Sequence, residues 1–169
     1  MIHVYTGNGK GKTTSAIGQT IRTSGFGGNV LFTQFIKDME YSEINILKSL
    51  PNVDYHRYGY GCFVNRLPEQ KDIDVVKKGI NEILQFLKTK DYKLVVLDEL
   101  NIALYYNLIF FDDIYDILKL FKDNLDKDLV ITGRYAPTRL LSYADLVTEM
   151  KEIKHYYHSD VTARDGIER

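Results

Sequence analysis

Cysteine, net charge and long hydrophobic runs are all scarce in this sequence of 169 residues. Its single cysteine, Cys62, excludes an internal disulfide and a cysteine-based metal cluster. Lysine and arginine number 22 against 23 acidic residues, so the net charge is -1. No overall electrostatic field recruits nucleic acid or an anionic membrane, and we expect neither as a partner.

No apolar stretch approaches the ~20 residues that are needed to cross a bilayer. The first residues also lack the charged and apolar regions of a secretion signal. We therefore expect a cytoplasmic protein without a membrane span. With 44% hydrophobic residues, the chain has enough apolar sequence for one core, which predicts a single domain over residues 1–169.

A glycine-rich segment follows a short predicted strand at residues 2–5. Residues 6–14 read Thr-Gly-Asn-Gly-Lys-Gly-Lys-Thr-Thr. Alternate glycines allow the backbone to turn its N–H groups toward an anion, and the N-terminus of a following helix adds its dipole. Lys12 brings positive charge to the phosphates, and the Thr13 hydroxyl can complete the shell of a bound Mg²⁺. This order of strand, loop and helix predicts a nucleoside triphosphate site.

The segment departs once from the P-loop pattern, because Thr6 stands where the pattern has glycine and Gly7 follows it. A glycine-rich turn without a ligand and a dinucleotide-binding loop are the alternatives. In the dinucleotide loop the third glycine would come one residue later. That loop also needs neither the cation nor the hydroxyl of Gly-Lys-Thr-Thr, so the triphosphate interpretation fits better.

Apolar runs and helical patterns alternate along the chain. The predicted strands are 2–5, 29–35, 53–58, 93–97, 128–132 and 145–150, and the predicted helices are 12–24, 42–50, 69–89, 112–121 and 137–143. Such alternation predicts an α/β fold with a mainly parallel central sheet of about six strands, flanked by helices.

In a parallel sheet, ligands gather beyond the carboxyl ends of the strands. Asp98 and Glu99 follow a buried apolar strand, where a carboxylate can hold Mg²⁺ opposite Thr13; an acidic helix start is the alternative. Arg134 follows the next strand along the chain and could clamp phosphate or ribose, or only cap a surface turn.

Residues 59–64 form an aromatic and apolar loop where polar turn residues are the norm. The loop can be a lid over a flat apolar substrate. It can also fold back onto the core, and composition alone favours this second interpretation.

Several segments, taken in order, resemble the P-loop type of corrinoid adenosyltransferase. They are residues 5–14, Gln34-Phe35-Ile36-Lys37, residues 95–101, Thr132-Gly133-Arg134 with Ala136-Pro137, residues 144–150, and Ile153-Lys154-His155 with Gly166-Ile167-Glu168. The resemblance runs from near residue 2 to near residue 168 and includes the departure at Thr6. The ordered set is therefore far more specific than a P-loop alone.

The resemblance implies a RecA-like P-loop domain that transfers the 5′-deoxyadenosyl group of ATP to the Co(I) centre of a reduced corrinoid. Triphosphate is released, and the reaction serves adenosylcobalamin synthesis or salvage. ATP is expected in the reverse sense to that of ordinary P-loop hydrolases, so that C5′ is exposed. Mg²⁺ is the expected cofactor, and the candidate partners are a second copy of the chain and a flavoprotein reductant.

The resemblance also assigns residues. Thr13 and Glu99 are the expected Mg²⁺ ligands, with Asp98 beside them as a further acid. Lys12, Thr13 and Glu99 are the expected catalytic residues, because the lysine and the ion stabilise the leaving triphosphate. The expected nucleotide contacts are Asn8, Gly9, Lys10, Gly11, Lys12, Thr13 and Thr14, to which the strand-end position adds Arg134. The expected corrinoid contacts are Tyr60, Cys62 and Phe63.

The lid departs from the family, whose well-known members have Phe and Trp in a G-F-T-W pattern. This chain reads Gly61-Cys62-Phe63-Val64 and contains no tryptophan, so Phe63 or Tyr60 is the candidate aromatic wedge. Two other functions stay open on the sequence alone. One is a RecA-like ATPase or kinase in which Glu99 orients the nucleophile, and the other is a nucleotide- or corrinoid-binding module without turnover.

Overall fold

Strands and helices alternate along residues 1–37, 41–60 and 67–168, which are the residues that a computed structural model describes. The strands are β1 (Ile2–Thr6), β2 (Val30–Phe35), β3 (Val53–Tyr58), β4 (Leu94–Asp98), β5 (Asp128–Thr132) and β6 (Leu146–Glu149). The helices are α1 (Lys12–Gly25), α2 (Ser42–Ser49), α3 (Gln70–Thr89), α4 (Leu100–Tyr105), α5 (Phe111–Phe121) and α6 (Thr138–Tyr143), with a 3₁₀ helix at Tyr156–Ser159. None of the helices in this part of the chain combines the length and hydrophobicity of a membrane span.

The six strands form one sheet in the order β3-β2-β4-β5-β1-β6, and every neighbouring pair is parallel. This confirms the predicted α/β fold. The register places Gln34 beside Asp98 and Tyr5 beside Thr132. Because all strands run in one direction, the segments that follow β1, β2, β4 and β5 meet at a single edge of the sheet.

Helices cover both faces of the sheet, and successive residues of the central strands alternate between two apolar clusters. Leu31 and Val95 pack with residues of α3 and α5, whereas Phe32 and Val96 pack with residues of α1 and α2. All residues of β2 and β4 are buried. Burial on both faces explains why these strands read as continuous apolar runs.

The predicted strands and helices are present, with ends that differ by at most one residue, as is usual at helix and strand termini. Helix α4 was not predicted. It begins directly after β4 and has only six residues, so it is too short to show a helical period. The N-cap residue of α4 is Glu99. Its φ is +62°, a conformation that is uncommon for glutamate and that the sequence does not indicate.

Gly79 of α3 is required by close packing against the ring of Tyr58. A Cβ atom at Gly79 would lie 2.5 Å from Cγ of Tyr58, a buried ring whose hydroxyl donates to Glu82 at 2.9 Å. We expect Gly79→Ala to lower the free energy of unfolding by about 1–3 kcal/mol, because the ring is overpacked.

The matched control is Gly18→Ala in α1, where a Cβ atom meets nothing within 4 Å. This substitution should raise the free energy of unfolding by about 0.4–1 kcal/mol, because it restricts the unfolded chain. Urea denaturation measures both variants. Stabilisation by Gly79→Ala would contradict the packing.

Candidate active site

The glycine-rich loop joins β1 to α1 and has positive φ at Gly7 (+97°) and Gly11 (+117°). Glycine adopts these angles without the strain that a side chain would cause. The backbone of Met150, just after β6, closes one side of the loop. The Gly9 N–H donates to the Met150 carbonyl at 2.6 Å, and a Cβ atom at Gly9 would lie 2.7 Å from that oxygen. Gly9 is an expected nucleotide contact, and it also fixes the glycine-rich loop against the backbone of Met150.

Lys12 is the first residue of α1, and its side chain folds back into the loop. It is buried, and its ammonium donates to the Gly9 carbonyl at 2.6 Å. Burial lowers the pKa of Lys12, and the negative charge of Glu99 opposes this shift. The arrangement places a buried positive charge among the backbone groups of the glycine-rich loop.

Asp98, the last residue of β4, is fully buried and accepts four hydrogen bonds. Its Oδ1 accepts from the hydroxyls of Thr13 at 2.9 Å and Thr132 at 2.6 Å. Its Oδ2 accepts from Gln34 Nε2 at 3.0 Å and Lys37 Nζ at 3.1 Å. These donors come from α1, β2, the turn after β2 and β5, so the buried carboxylate is compensated by hydrogen bonds and by the charge of Lys37.

Glu99 turns away from β4 with φ +62°, and its N–H donates to the Thr132 hydroxyl at 3.0 Å. A Cβ atom at Gly133 would lie 3.3 Å from Oε2 of Glu99, which places this carboxylate over the segment after β5. Burial raises the pKa of Glu99, and the charge of Asp98 adds to the increase. Two adjacent acids thus have different surroundings: Asp98 is bonded inside the sheet, and Glu99 is partly exposed at its edge.

The oxygen atoms of Thr13 and Asp98 fit a hard divalent cation. They lie 2.9 Å apart, and the Lys37 ammonium already lies 3.3 Å from Thr13 Oγ1 and 3.1 Å from Asp98 Oδ2. In the described ranges, no group of three His, Cys, Asp or Glu residues could hold a metal ion. A cation at this position would therefore depend on phosphate and water oxygens, which is the usual arrangement for Mg²⁺.

Arg134 reaches the same edge from the segment after β5. Its side chain is exposed, and its charge acts on both Lys12 and Glu99. Two residues further on, the Ala136 N–H donates to the Thr6 hydroxyl at 3.4 Å. The threonine that departs from the P-loop pattern thus connects the glycine-rich loop to the segment that carries Arg134.

Lys10 lies in the same loop as Lys12 but contacts the C-terminal segment. Its ammonium donates to Glu168 Oε1 at 2.8 Å and to the Tyr156 hydroxyl at 3.1 Å. These hydrogen bonds, first of all the one to Glu168, raise the pKa of Lys10. Together with Gly9 and residues 151–156, Lys10 lines a cavity of about 390 Å³. A nucleotide phosphate would have to compete with Glu168 for this ammonium.

The other predicted site residues are less enclosed. Asn8 and Thr14 are exposed on the loop and on α1. Tyr60 follows β3 with 61% of its surface exposed. Cys62 and Phe63 lie outside the described residues.

Sequence reasoning did not assign a role to several polar residues that surround Asp98. Three of them donate directly to this carboxylate: Gln34 through its amide, Lys37 through its ammonium and Thr132 through its hydroxyl. Asn101 is also buried here; its Nδ2 donates to the Gly133 carbonyl at 2.9 Å, and its Oδ1 has no partner among the described residues. The only signal for these residues was their place in the segments that resemble the adenosyltransferases.

The chain is similar to known proteins over nearly its whole length. The family described as ATP:corrinoid adenosyltransferase BtuR/CobO/CobP matches residues 1–169. The corrinoid adenosyltransferase of Pseudomonas aeruginosa is 35% identical over 167 residues, which is 98% of this chain and 81% of that protein. Those of a Sinorhizobium species and of Escherichia coli K12 are 33% and 30% identical over 99% of this chain, and over 79% and 85% of their own lengths.

Among solved structures, the cytoplasmic domain of EssC aligns with 96% of this chain at 18% identity and a TM-score of 0.49. The chain spans 33% of that structure. The match over residues 1–169 and the identities of 30–35% establish the family without it. This chain is a member of the ATP:corrinoid adenosyltransferase family.

Proposed function

We propose that the protein transfers the 5′-deoxyadenosyl group of ATP to the Co(I) centre of a reduced corrinoid and releases triphosphate. The observation that carries the proposal is the buried Lys12 beside the Thr13–Asp98 pair in a chain that belongs to the ATP:corrinoid adenosyltransferases. Family membership favours this reaction over the ATPase, the kinase and the binding module.

The reaction is a displacement at C5′ of ATP. Co(I), which belongs to the substrate, donates an electron pair to C5′ and becomes Co(III) as the Co–C bond forms. The bond between C5′ and the α-phosphate oxygen breaks, and its electron pair leaves with triphosphate. No side-chain nucleophile or general base is needed, because the corrinoid supplies the electrons. The protein has to position C5′ against cobalt and stabilise the leaving group.

Lys12 supplies a buried positive charge inside the glycine-rich loop. To bind triphosphate, its ammonium would exchange the Gly9 carbonyl, now 2.6 Å away, for phosphate oxygens. A buried ammonium interacts more strongly with an anion than one in water, because the local dielectric is lower. The Arg134 side chain is exposed at the same edge of the sheet. Its guanidinium would bind the phosphates or the ribose.

Thr13, Asp98 and Glu99 would hold Mg²⁺ together with the triphosphate. When bound, the ion supplies charge neutralisation for the leaving group. The hydrogen bond from Thr13 to Asp98 fixes the direction of the hydroxyl, and the donors from Thr132 and Gln34 fix Asp98. Glu99, whose Oε2 lies 3.3 Å from a Cβ atom built at Gly133, would supply a further ligand oxygen.

The corrinoid side of the site is proposed from the family resemblance. Tyr60, which follows β3, would contact the corrin ring, and Cys62 and Phe63, which lie outside the described residues, are the other proposed contacts. Gly59 packs against the turn after β2, since a Cβ atom there would lie 2.7 Å from the carbonyl carbon of Ile36. The chain that follows β3 therefore begins next to Lys37, which contacts Asp98. A single domain over residues 1–169, a homodimer, a flavoprotein reductant and a cytoplasmic location stay predictions.

An anaerobic incubation with ATP, Mg²⁺ and chemically reduced cobalamin tests the function. We expect the Co(I) spectrum to be replaced by that of an alkylated corrinoid, with one triphosphate released per cobalt alkylated. A parallel incubation without reduced corrinoid should release no triphosphate. Orthophosphate in place of triphosphate would identify an ATPase or kinase, and nucleotide binding without either product would identify a binding module.

A further inference from the structure

Lys37 follows β2 and directs its ammonium into the group around Asp98. Its Nζ lies 3.1 Å from Asp98 Oδ2 and 3.3 Å from Thr13 Oγ1. The Lys37 side chain is 18% exposed and that of Asp98 is 0% exposed. The ammonium is therefore a largely buried cation in contact with Thr13 and Asp98, two of the three side chains that the proposed function assigns to Mg²⁺.

The backbone before Lys37 is built to place this side chain. Ile36 has φ +70°, which is rare for a β-branched residue, and the Lys37 N–H donates to the Phe35 carbonyl at 2.8 Å across a tight turn. The turn is held on its outer side by Gly59, where a Cβ atom would lie 2.8 Å from the Lys37 carbonyl oxygen. A strained turn that is fixed by packing is typical of residues with a functional position.

Two cations cannot share this pair of oxygen atoms without strong repulsion, because charges a few ångströms apart interact strongly at a partly buried site. A divalent ion that binds Thr13 and Asp98 must displace the Lys37 ammonium. The lysine stem is long and flexible, and the nearest uncompensated anion would then be the bound triphosphate.

We propose that Lys37 is an exchangeable counter-ion: it competes with the divalent cation for Thr13 and Asp98, and it passes to the triphosphate when that cation binds. This inference rests on the metal position of the proposed function. It makes Lys37 a residue that couples metal binding to phosphate binding, because the ammonium can serve only one of the two partners at a time.

Lys37→Met removes the ammonium and keeps most of the apolar stem, so it separates the two roles of Lys37. Without its competitor, Mg²⁺ alone should bind the nucleotide-free variant on the order of tenfold more tightly than the wild type. Inorganic triphosphate in saturating Mg²⁺ should bind the same variant more weakly, because the ammonium no longer reaches it. Isothermal titration calorimetry with each probe, supported by thermal melting at increasing Mg²⁺, measures both changes.

Lys37→Gln is the second variant and serves if Lys37→Met folds poorly. Its amide keeps a hydrogen-bond donor for Asp98 but carries no charge. It should change both affinities in the same directions as Lys37→Met. The matched control is Lys90→Met, which removes an ammonium 2.7 Å from Asp54, away from the site. It should alter the melting temperature without changing either affinity.

Opposite changes in the two affinities support the exchange. An unchanged affinity for Mg²⁺, or a loss of affinity for both probes, would overturn it and leave Lys37 as a structural partner of Asp98. These binding measurements do not depend on turnover. Failure of the proposed function would appear separately, as absence of adenosyl transfer by the wild-type protein.

Discussion

Lys12→Ala should lower the rate of adenosyl transfer by at least about 100-fold, the size of effect expected when one preorganised donor to a developing negative charge is removed. ATP binding should weaken as well, because the ammonium is the main point charge in the glycine-rich loop. The fold should survive, since the hydrogen bond that is lost, from the charged ammonium to the Gly9 carbonyl, has a net worth of about 1.5–3 kcal/mol. Anaerobic turnover, ATP titration and urea denaturation give the three quantities.

Lys10→Ala is the matched control, because it removes an ammonium from the same loop. Lys10 is 42% exposed and paired with Glu168, so its charge is partly neutralised and screened before any nucleotide binds. The loss of activity should therefore be much smaller than for Lys12→Ala. Turnover near the wild-type rate for Lys12→Ala would show that the phosphate assignment is wrong.

Asp98→Asn should be the most destabilising single substitution at the site. The amide keeps the shape of the side chain but removes the negative charge that compensates the largely buried Lys37 ammonium. It also cannot accept four hydrogen bonds in the pattern made by the carboxylate. We expect a loss of about 3–5 kcal/mol in the free energy of unfolding, the usual cost of breaking a buried ion pair, and loss of adenosyl transfer.

Glu99→Gln is the contrasting variant and should leave stability nearly unchanged or slightly raised. The pKa of Glu99 is raised by burial and by Asp98, so its ionised form is less favourable in the folded protein than in the unfolded chain. The stabilisation associated with this group is therefore lost as pH rises through the folded-state pKa, and a neutral side chain avoids that cost near pH 7. Activity should require more Mg²⁺, because one proposed ligand oxygen has lost its charge.

Urea denaturation and Mg²⁺ titrations of adenosyl transfer compare the two variants. If the Mg²⁺ curve of Glu99→Gln superimposes on that of the wild type, Glu99 is not a ligand, and Asp98 is the carboxylate that holds the cation. If Asp98→Asn is as stable as the wild type, the carboxylate does not compensate Lys37 as the geometry indicates.

The sequence alone predicted the parallel α/β sheet and the position of the glycine-rich loop. Both follow from residues that are close together in the chain: apolar runs for strands, apolar spacing for helices, and glycines for positive φ at Gly7 and Gly11. The rule that the carboxyl ends of parallel strands lie at one edge of the sheet also predicts that Lys12, Asp98 and Arg134 lie close together. The short helix α4 was missed, because six residues carry too little periodicity.

The different environments of Asp98 and Glu99 could not be read from two adjacent acids. Asp98 is buried because it pairs in register with Gln34 on β2 and meets Thr132 on β5, and both contacts exist only in the assembled sheet. Glu99 leaves the sheet through its positive φ, which residue type does not predict for a glutamate.

What the sequence by itself determined was the kind of protein: a P-loop domain, its family resemblance and the residue types available at the strand ends. Only the tertiary structure decided how the charges are partnered, with Lys10 on Glu168, Lys12 inside its own loop and Lys37 between Thr13 and Asp98. The physical reason is that the two properties depend on residues at different separations along the chain. Backbone conformation depends mostly on neighbours in the chain, whereas the partner of a charged side chain depends on which distant segments the fold brings within a few ångströms.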